Sequence, residues 1–107
     1  MVENYTMMVG LNDKETHVQQ ISTVEAYKVI LNCIKPYVQG ATISEAFGYF
    51  IHDDGTTVTE KSLRVEILFF DDSNSRSKVE KIMDLIKVAL NQQSIALTYS
   101  KPESILY

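Results

Sequence analysis

The side chains able to do chemistry are few and far apart along the chain. Nucleophilic catalysis needs a thiol or hydroxyl beside a base, and the one cysteine, Cys33, sits among the apolar residues Ile30, Leu31 and Ile34. Free cysteine is among the most buried residue types, so Cys33 reads as a packing residue. The two histidines, His17 and His52, fall in separate polar segments rather than at paired helical or strand spacing. A metal site would need those segments to meet. His52 with Asp53 and Asp54 could offer nitrogen and oxygen ligands, yet His52-Asp53-Asp54-Gly55-Thr56 reads better as a solvated hairpin tip. Asp71-Asp72-Ser73-Asn74 lacks the spacing and the closing glutamate of an EF-hand and reads as a helix entry. On these residues the chain is expected to be no enzyme, with no metal and no cofactor.

Two polar stretches offer more. Asn12, Asp13, Lys14, Glu15, Thr16 and His17 begin a connection that is long for a strand leading into a helix. Such loops can bind ligands as well as connect elements. Asn91-Gln92-Gln93-Ser94 could read a ligand through neutral amides or close the preceding helix, since asparagine is frequent at helix C-termini. The candidate ligand-binding residues are therefore Asn12, Asp13, Lys14, Thr16 and His17 from the first stretch, with Asn91, Gln92, Gln93 and Ser94 from the second.

The elements that must position these stretches follow from hydrophobic periodicity. Tyr5, Met7, Val9 and Leu11 alternate with Thr6, Met8 and Gly10, which is a strand. Ser22 with Glu25 forms a capping box, and Tyr27, Ile30, Leu31, Ile34 and Val38 continue at helical spacing until Pro36 ends or kinks the helix. Residues 41–51 alternate again, the Asp-Gly turn reverses the chain, and a returning strand over about 59–70 turns Leu63, Val65, Ile67 and Phe69 to one face. Ser77 with Glu80 repeats the capping-box pattern before Val79, Ile82, Met83, Ile86 and Leu90. Ile95, Leu97 and Tyr99 form a last strand closed by Pro102, and the apolar tail Ile105-Leu106-Tyr107 needs cover. The order β-α-β-β-α-β predicts an α+β, ferredoxin-like domain spanning residues 1–107, a four-stranded antiparallel sheet with both helices on one face.

Composition agrees with one soluble domain. A chain of 107 residues, 45% hydrophobic and 22% charged, has the globular average, and a length that buries roughly 65% of its unfolded surface supports one core. No apolar run could cross a bilayer, no basic and apolar leader opens the sequence, and a lone cysteine suits a reducing compartment. A cytoplasmic protein is expected. Ten basic against fourteen acidic residues give a net charge of −4, with no basic stripe, so nucleic acid is not an expected partner.

Gly40-Ala41-Thr42-Ile43-Ser44-Glu45-Ala46-Phe47-Gly48-Tyr49 resembles the second strand of the PII-like signalling proteins, which carry a Gly-x-Thr-Val then Gly-Phe pattern there. Leu63 to Asp72 and the helix Val79 to Leu90 resemble their third strand and second helix, so the likeness covers roughly residues 40–90. What it implies is an oligomer that binds a small effector between subunits and signals by docking on other proteins. Asn91-Gln92-Gln93-Ser94 stands where that superfamily has a Gly-rich, Lys-bearing phosphate turn, so no nucleotide cofactor is expected. The segments Gly10 to Thr16 and Leu90 to Ile95 also look like small uncharacterised proteins of bacteria and their mobile elements.

Two functions are thus expected. One is a non-enzymatic regulatory module, a dimer or trimer that senses or sequesters a small ligand between subunits, near the two polar stretches. The other is a small acidic phage or mobile-element inhibitor that occupies a groove on a host protein. Met8, Leu68 and Phe70, near Arg64 on an open sheet face, would lie exposed without a second copy, and Tyr99 and Tyr107 could anchor an interface, so Met8, Arg64, Leu68, Phe70, Tyr99 and Tyr107 are the candidate partner-interface residues.

Overall fold

The structure is a computed structural model that describes residues 2–103, so Tyr107 and the rest of the apolar tail lie outside the described residues. Its elements are β1 (Val2–Gly10), α1 (Thr23–Ile34), β2 (Thr42–Ile51), β3 (Thr57–Phe70), α2 (Ser75–Ala89) and β4 (Ala96–Ser100). The four strands form one sheet in the order β2-β3-β1-β4, every neighbouring pair antiparallel. This is the ferredoxin-like α+β arrangement that the alternation predicts. No helix among the described residues is long and apolar enough to cross a membrane.

Strand periodicity assigns the faces. Odd-numbered positions of β1 and β3 (Tyr5, Met7, Val9, Leu63, Val65, Ile67) are buried against the helices, which contribute Ala26, Ile30, Ile34, Val79, Ile82 and Ile86 to the same core. Even-numbered positions, such as Met8, Arg64, Leu68 and Phe70, face the open side. Side chains alternate strictly between the two faces of a strand, so Gly10, Val58, Glu60 and Ser62 lie on that open side as well.

Helix boundaries follow local chemistry. Ser22 caps α1, its Oγ accepting the Glu25 N–H at 3.1 Å, a contact of about 1 kcal/mol. Glu25 completes no capping box; its carboxylate pairs with Lys28 at 3.5 Å instead. The helix stops at Ile34, two residues before Pro36. The Ser77 to Glu80 pattern does not start α2, which begins two residues earlier, at Ser75. There Asp72 shapes the entry: Oδ1 accepts the Asn74 N–H at 2.8 Å and Oδ2 the Lys78 ammonium at 2.6 Å. Cys33 packs half-buried against the core, and burial pushes its thiol pKa up, so it stays protonated and a poor nucleophile.

The β2–β3 hairpin outruns its cover. Phe47, Tyr49 and Ile51 occupy helix-side positions but are 77%, 72% and 63% exposed. At its tip His52 N–H donates to the Thr56 carbonyl at 2.8 Å, with Gly55 at φ +87°, the left-handed region that glycine adopts without strain.

Candidate functional site

The open side of the sheet ends in a groove of 420 Å³ where three segments meet: the loop after β1, the turn after α2, and the tip end of the β2–β3 hairpin. Its floor is the end of β1 beside β3 and β4. Gly10 faces Ser62 across the ladder, and Met8 lies between Arg64 and Ala96. The hairpin contributes Phe50, Val58 and Glu60, with His52 above them.

Glu60 is the charged side chain of that floor. Its Oε2 accepts the Asn12 N–H at 2.9 Å. A methyl group added at Gly10 would lie 2.6 Å from Cδ and from both carboxylate oxygens of Glu60, far inside van der Waals contact. Glycine at position 10 is therefore what lets the carboxylate lie flat on β1.

The loop after β1 is folded around Asp13. The Oδ2 of Asp13 accepts the N–H groups of Glu15 and Thr16, each at 3.0 Å, and its Oδ1 accepts Asn91 Nδ2 at 2.6 Å. These bonds, the Asn91 amide first, hold the Asp13 carboxyl below the usual aspartate range. An isolated bridge between Asn12 and Gln19 and the Asp13 N–H to the Val18 carbonyl (2.8 Å) close the loop into a small lobe. Its length thus reflects internal structure, with His17 at φ +62° making the turn.

The turn after α2 is tied to that lobe. Asn91 has φ +50°, the left-handed conformation that ends a helix, and its carbonyl accepts the Lys14 N–H at 3.1 Å. Gln92 is buried, and its Nε2 donates to the Asn12 carbonyl at 2.7 Å.

The structure brings Asn12, Asp13, Lys14, His17, Gln92, Gln93 and Ser94 to one groove. Thr16 and Asn91 stand apart from its wall. The Thr16 hydroxyl accepts Gln20 Nε2 at 2.8 Å, and the Asn91 amide is spent on Asp13, so both shape the loop from behind. His17 and His52 line the same groove although they are far apart in sequence; among the described residues, however, no group of three His, Cys, Asp or Glu side chains is placed to hold a metal ion. Glu60, Gly10 and Phe50 escape a reading of sequence segments, because they reach the site by strand register. The available signal was their shared even parity with Met8 on the open face.

Of the candidate interface residues, Met8, Arg64, Leu68 and Phe70 share the open face, with Leu68 and Phe70 exposed. Tyr99 belongs elsewhere. It lies on the helix side opposite Tyr5, its ring 4.8 Å from the Tyr5 ring, and its hydroxyl donates to Glu3 Oε2 at 2.9 Å. The Arg76 guanidinium sits 5.1 Å from both rings. These contacts tie Tyr99 to β1 and α2, while part of its ring stays exposed.

This combination of sheet order and helix placement defines a small ferredoxin-like α+β domain with a groove at one end of its open face. Residues 4–105 match the model of the family described as protein of unknown function DUF3574, and the chain belongs to that family. No curated protein matches it. Among solved structures it is similar to a phage SAM lyase in complex with S-methyl-5′-thioadenosine (17% identity, covering 94% of this chain and 81% of that one, TM-score 0.73). The phage SAM lyase in its apo state gives 17% identity, coverage of 92% and 78%, and a TM-score of 0.71. The periplasmic divalent cation tolerance protein CutA from Archaeoglobus fulgidus gives 11% identity, coverage of 99% and 88%, and a TM-score of 0.61. At these identities the likeness is one of fold alone, the ferredoxin-like arrangement.

The expectation that the chain is no enzyme is corrected by the first of these comparisons: the fold it shares is, in the phage SAM lyase, the fold of an enzyme. A missing catalytic motif is a weak argument on such a sheet. Residues such as Glu60 and Asn12 meet here through register and loop closure, and fold does not fix function.

Proposed function

We propose that this chain is a self-associating small-molecule-binding domain whose ligand occupies the groove over Gly10 and Glu60. The observation that carries the reading is convergence: two polar stretches distant in sequence, joined by the Asp13–Asn91 and Asn12–Gln92 contacts, wall one groove together with the hairpin. Its 420 Å³ falls within the roughly 300–1,000 Å³ of small-molecule sites. Apolar walls with a few fixed polar groups are also typical of such sites. The phage SAM lyase holds S-methyl-5′-thioadenosine on the same fold, which makes adenosyl thioethers and sulfonium compounds the first ligands to try.

Self-association draws support from the hairpin. Phe47, Tyr49 and Ile51 are more than half exposed on an edge strand. Aromatic side chains of about 150–250 Å² each make that a patch as large as the largest on typical monomers, about 300–600 Å².

Native mass spectrometry of gently purified protein, followed by calorimetry with S-methyl-5′-thioadenosine and S-adenosylmethionine, tests the proposal. A stoichiometric adduct or a saturable heat, lost in a Gln92→Ala variant that remains folded, supports it. A bare monomer that takes up neither compound overturns it. Catalysis by the same groove is read in the same tube, as release of S-methyl-5′-thioadenosine from S-adenosylmethionine.

A further inference from the structure

We infer that the groove selects an organic cation, held by the free carboxylate oxygen of Glu60 against an apolar wall; this rests on the reading of the groove as a ligand site. One oxygen of Glu60, Oε2, is occupied by the Asn12 N–H, while Oε1 accepts no hydrogen bond among the described residues. The carboxylate is pinned between Asn12 and the bare Cα of Gly10, so its charge has a fixed place in the groove.

That charge has no ion-pair partner among the described residues. Lys61, its neighbour in sequence, points to the opposite face of the hairpin, with its ammonium 5.9 Å from the Phe47 ring. Arg64, four pairs further along the ladder, is held by Glu66 at 3.1 Å. An anion left unpaired beside apolar surface gains from an opposite charge supplied by a ligand, because its own solvation there is incomplete.

The chemistry of the wall narrows the class of cation. A bare metal ion needs several hard or imidazole donors at once, and the described residues hold no such group. Phe50, Met8 and Val58 line the groove beside Glu60, and the Phe50 ring is braced edge-to-face by His52 at 4.9 Å and 75°. Aromatic and apolar walls favour a diffuse, weakly hydrated cation, a sulfonium or quaternary ammonium, over a compact ammonium. Lys14 and His17 line the loop side of the same groove, so a cation that carries its own carboxylate finds a complementary group there.

A titration followed by amide chemical shifts separates this inference from the reading beneath it. The probes are S-adenosylmethionine, a sulfonium, and S-adenosylhomocysteine, its neutral thioether, each tested on the wild-type chain, Glu60→Gln and Gly10→Ala. The expected result is about tenfold tighter binding of the sulfonium by the wild type, a charge effect of ordinary size for a partly exposed site. That preference disappears in Glu60→Gln, and in Gly10→Ala, where the carboxylate is kept but displaced. Equal binding of both probes, or a preference that survives Glu60→Gln, overturns the cation inference while the groove remains a ligand site. Failure of both probes to move the Gly10, Asn12 and Ser62 amides overturns the inference too, and the retained-ligand experiment then decides the broader reading alone.

Discussion

The side-chain amide of Asn91 donates to Asp13 Oδ1 at 2.6 Å, across 78 residues of sequence, and fastens the loop after β1 to the end of α2. Because Asn91 also sits at φ +50°, glycine is the substitution that removes the amide without adding backbone strain. Asn91→Gly is expected to keep the fold, speed hydrogen exchange at the Glu15 and Thr16 amides, and weaken any groove ligand. Exchange rates unchanged at those two amides would show that the loop closes on itself without the tie.

Acid should act through the same contact. The folded chain holds the Asp13 carboxyl below its ordinary value, so in the acid range the unfolded state binds more protons and stability rises with pH. The contribution is complete above the unfolded aspartate value of about 3.9 and is lost as pH falls through the lower folded value. Urea unfolding of the wild type and Asp13→Asn is expected to differ at pH 7 and to converge as pH falls through the lowered folded value. A difference that persisted in acid would mean that the carboxylate charge is not what stabilises the loop.

Most of the fold was legible because period-two alternation survives intact in β1 and β3, and Ser22 marks the start of α1 as its spacing to Glu25 suggests. The start of α2 was misread for a physical reason. Asp72 organises the entry through the Asn74 N–H and Lys78, an arrangement with no capping-box signature. The two polar stretches could be picked out by composition, but not their division of labour, since Thr16 and Asn91 turn their polar groups inward to the loop. Glu60 was invisible for another reason. Its role depends on the register that sets the hairpin beside β1 and on a glycine that admits its carboxylate.

The cluster around Glu3 offers a spectroscopic check on the helix side of the sheet. Glu3 accepts hydrogen bonds from Ser75 Oγ at 2.8 Å and the Tyr99 hydroxyl at 2.9 Å. Those two bonds, Ser75 first, hold its carboxyl below the ordinary value. Tyr99 moves the opposite way: burial pushes its hydroxyl pKa up, and the Glu3 carboxylate adds to that. Absorbance titration should show a component, belonging to Tyr99, that ionises above the ordinary tyrosine value. Glu3→Gln is expected to bring it part of the way back, because desolvation remains. A Tyr99→Phe variant that left the late-titrating component in place would show that another residue had been observed.

The hairpin and the core should respond oppositely to truncation. Ile82 is fully buried between α2 and the sheet, so Ile82→Ala is expected to cost about 2–5 kcal/mol and to lower the melting temperature by roughly 10 °C or more. Tyr49 is 72% exposed, and Tyr49→Ser removes little that the isolated chain buries, so its stability at low concentration should stay within about 0.5 kcal/mol of wild type. If the exposed hairpin is covered by a second copy, the same substitution should shift sedimentation velocity toward the monomer. Assembly unaffected by Tyr49→Ser and Phe47→Ser together would remove the hairpin from the interface and leave the open face around Leu68 and Phe70 as the surface to test. Loss of assembly with the groove amides unmoved would place self-association apart from ligand binding, because Phe47 and Tyr49 lie on the side of β2 opposite Phe50.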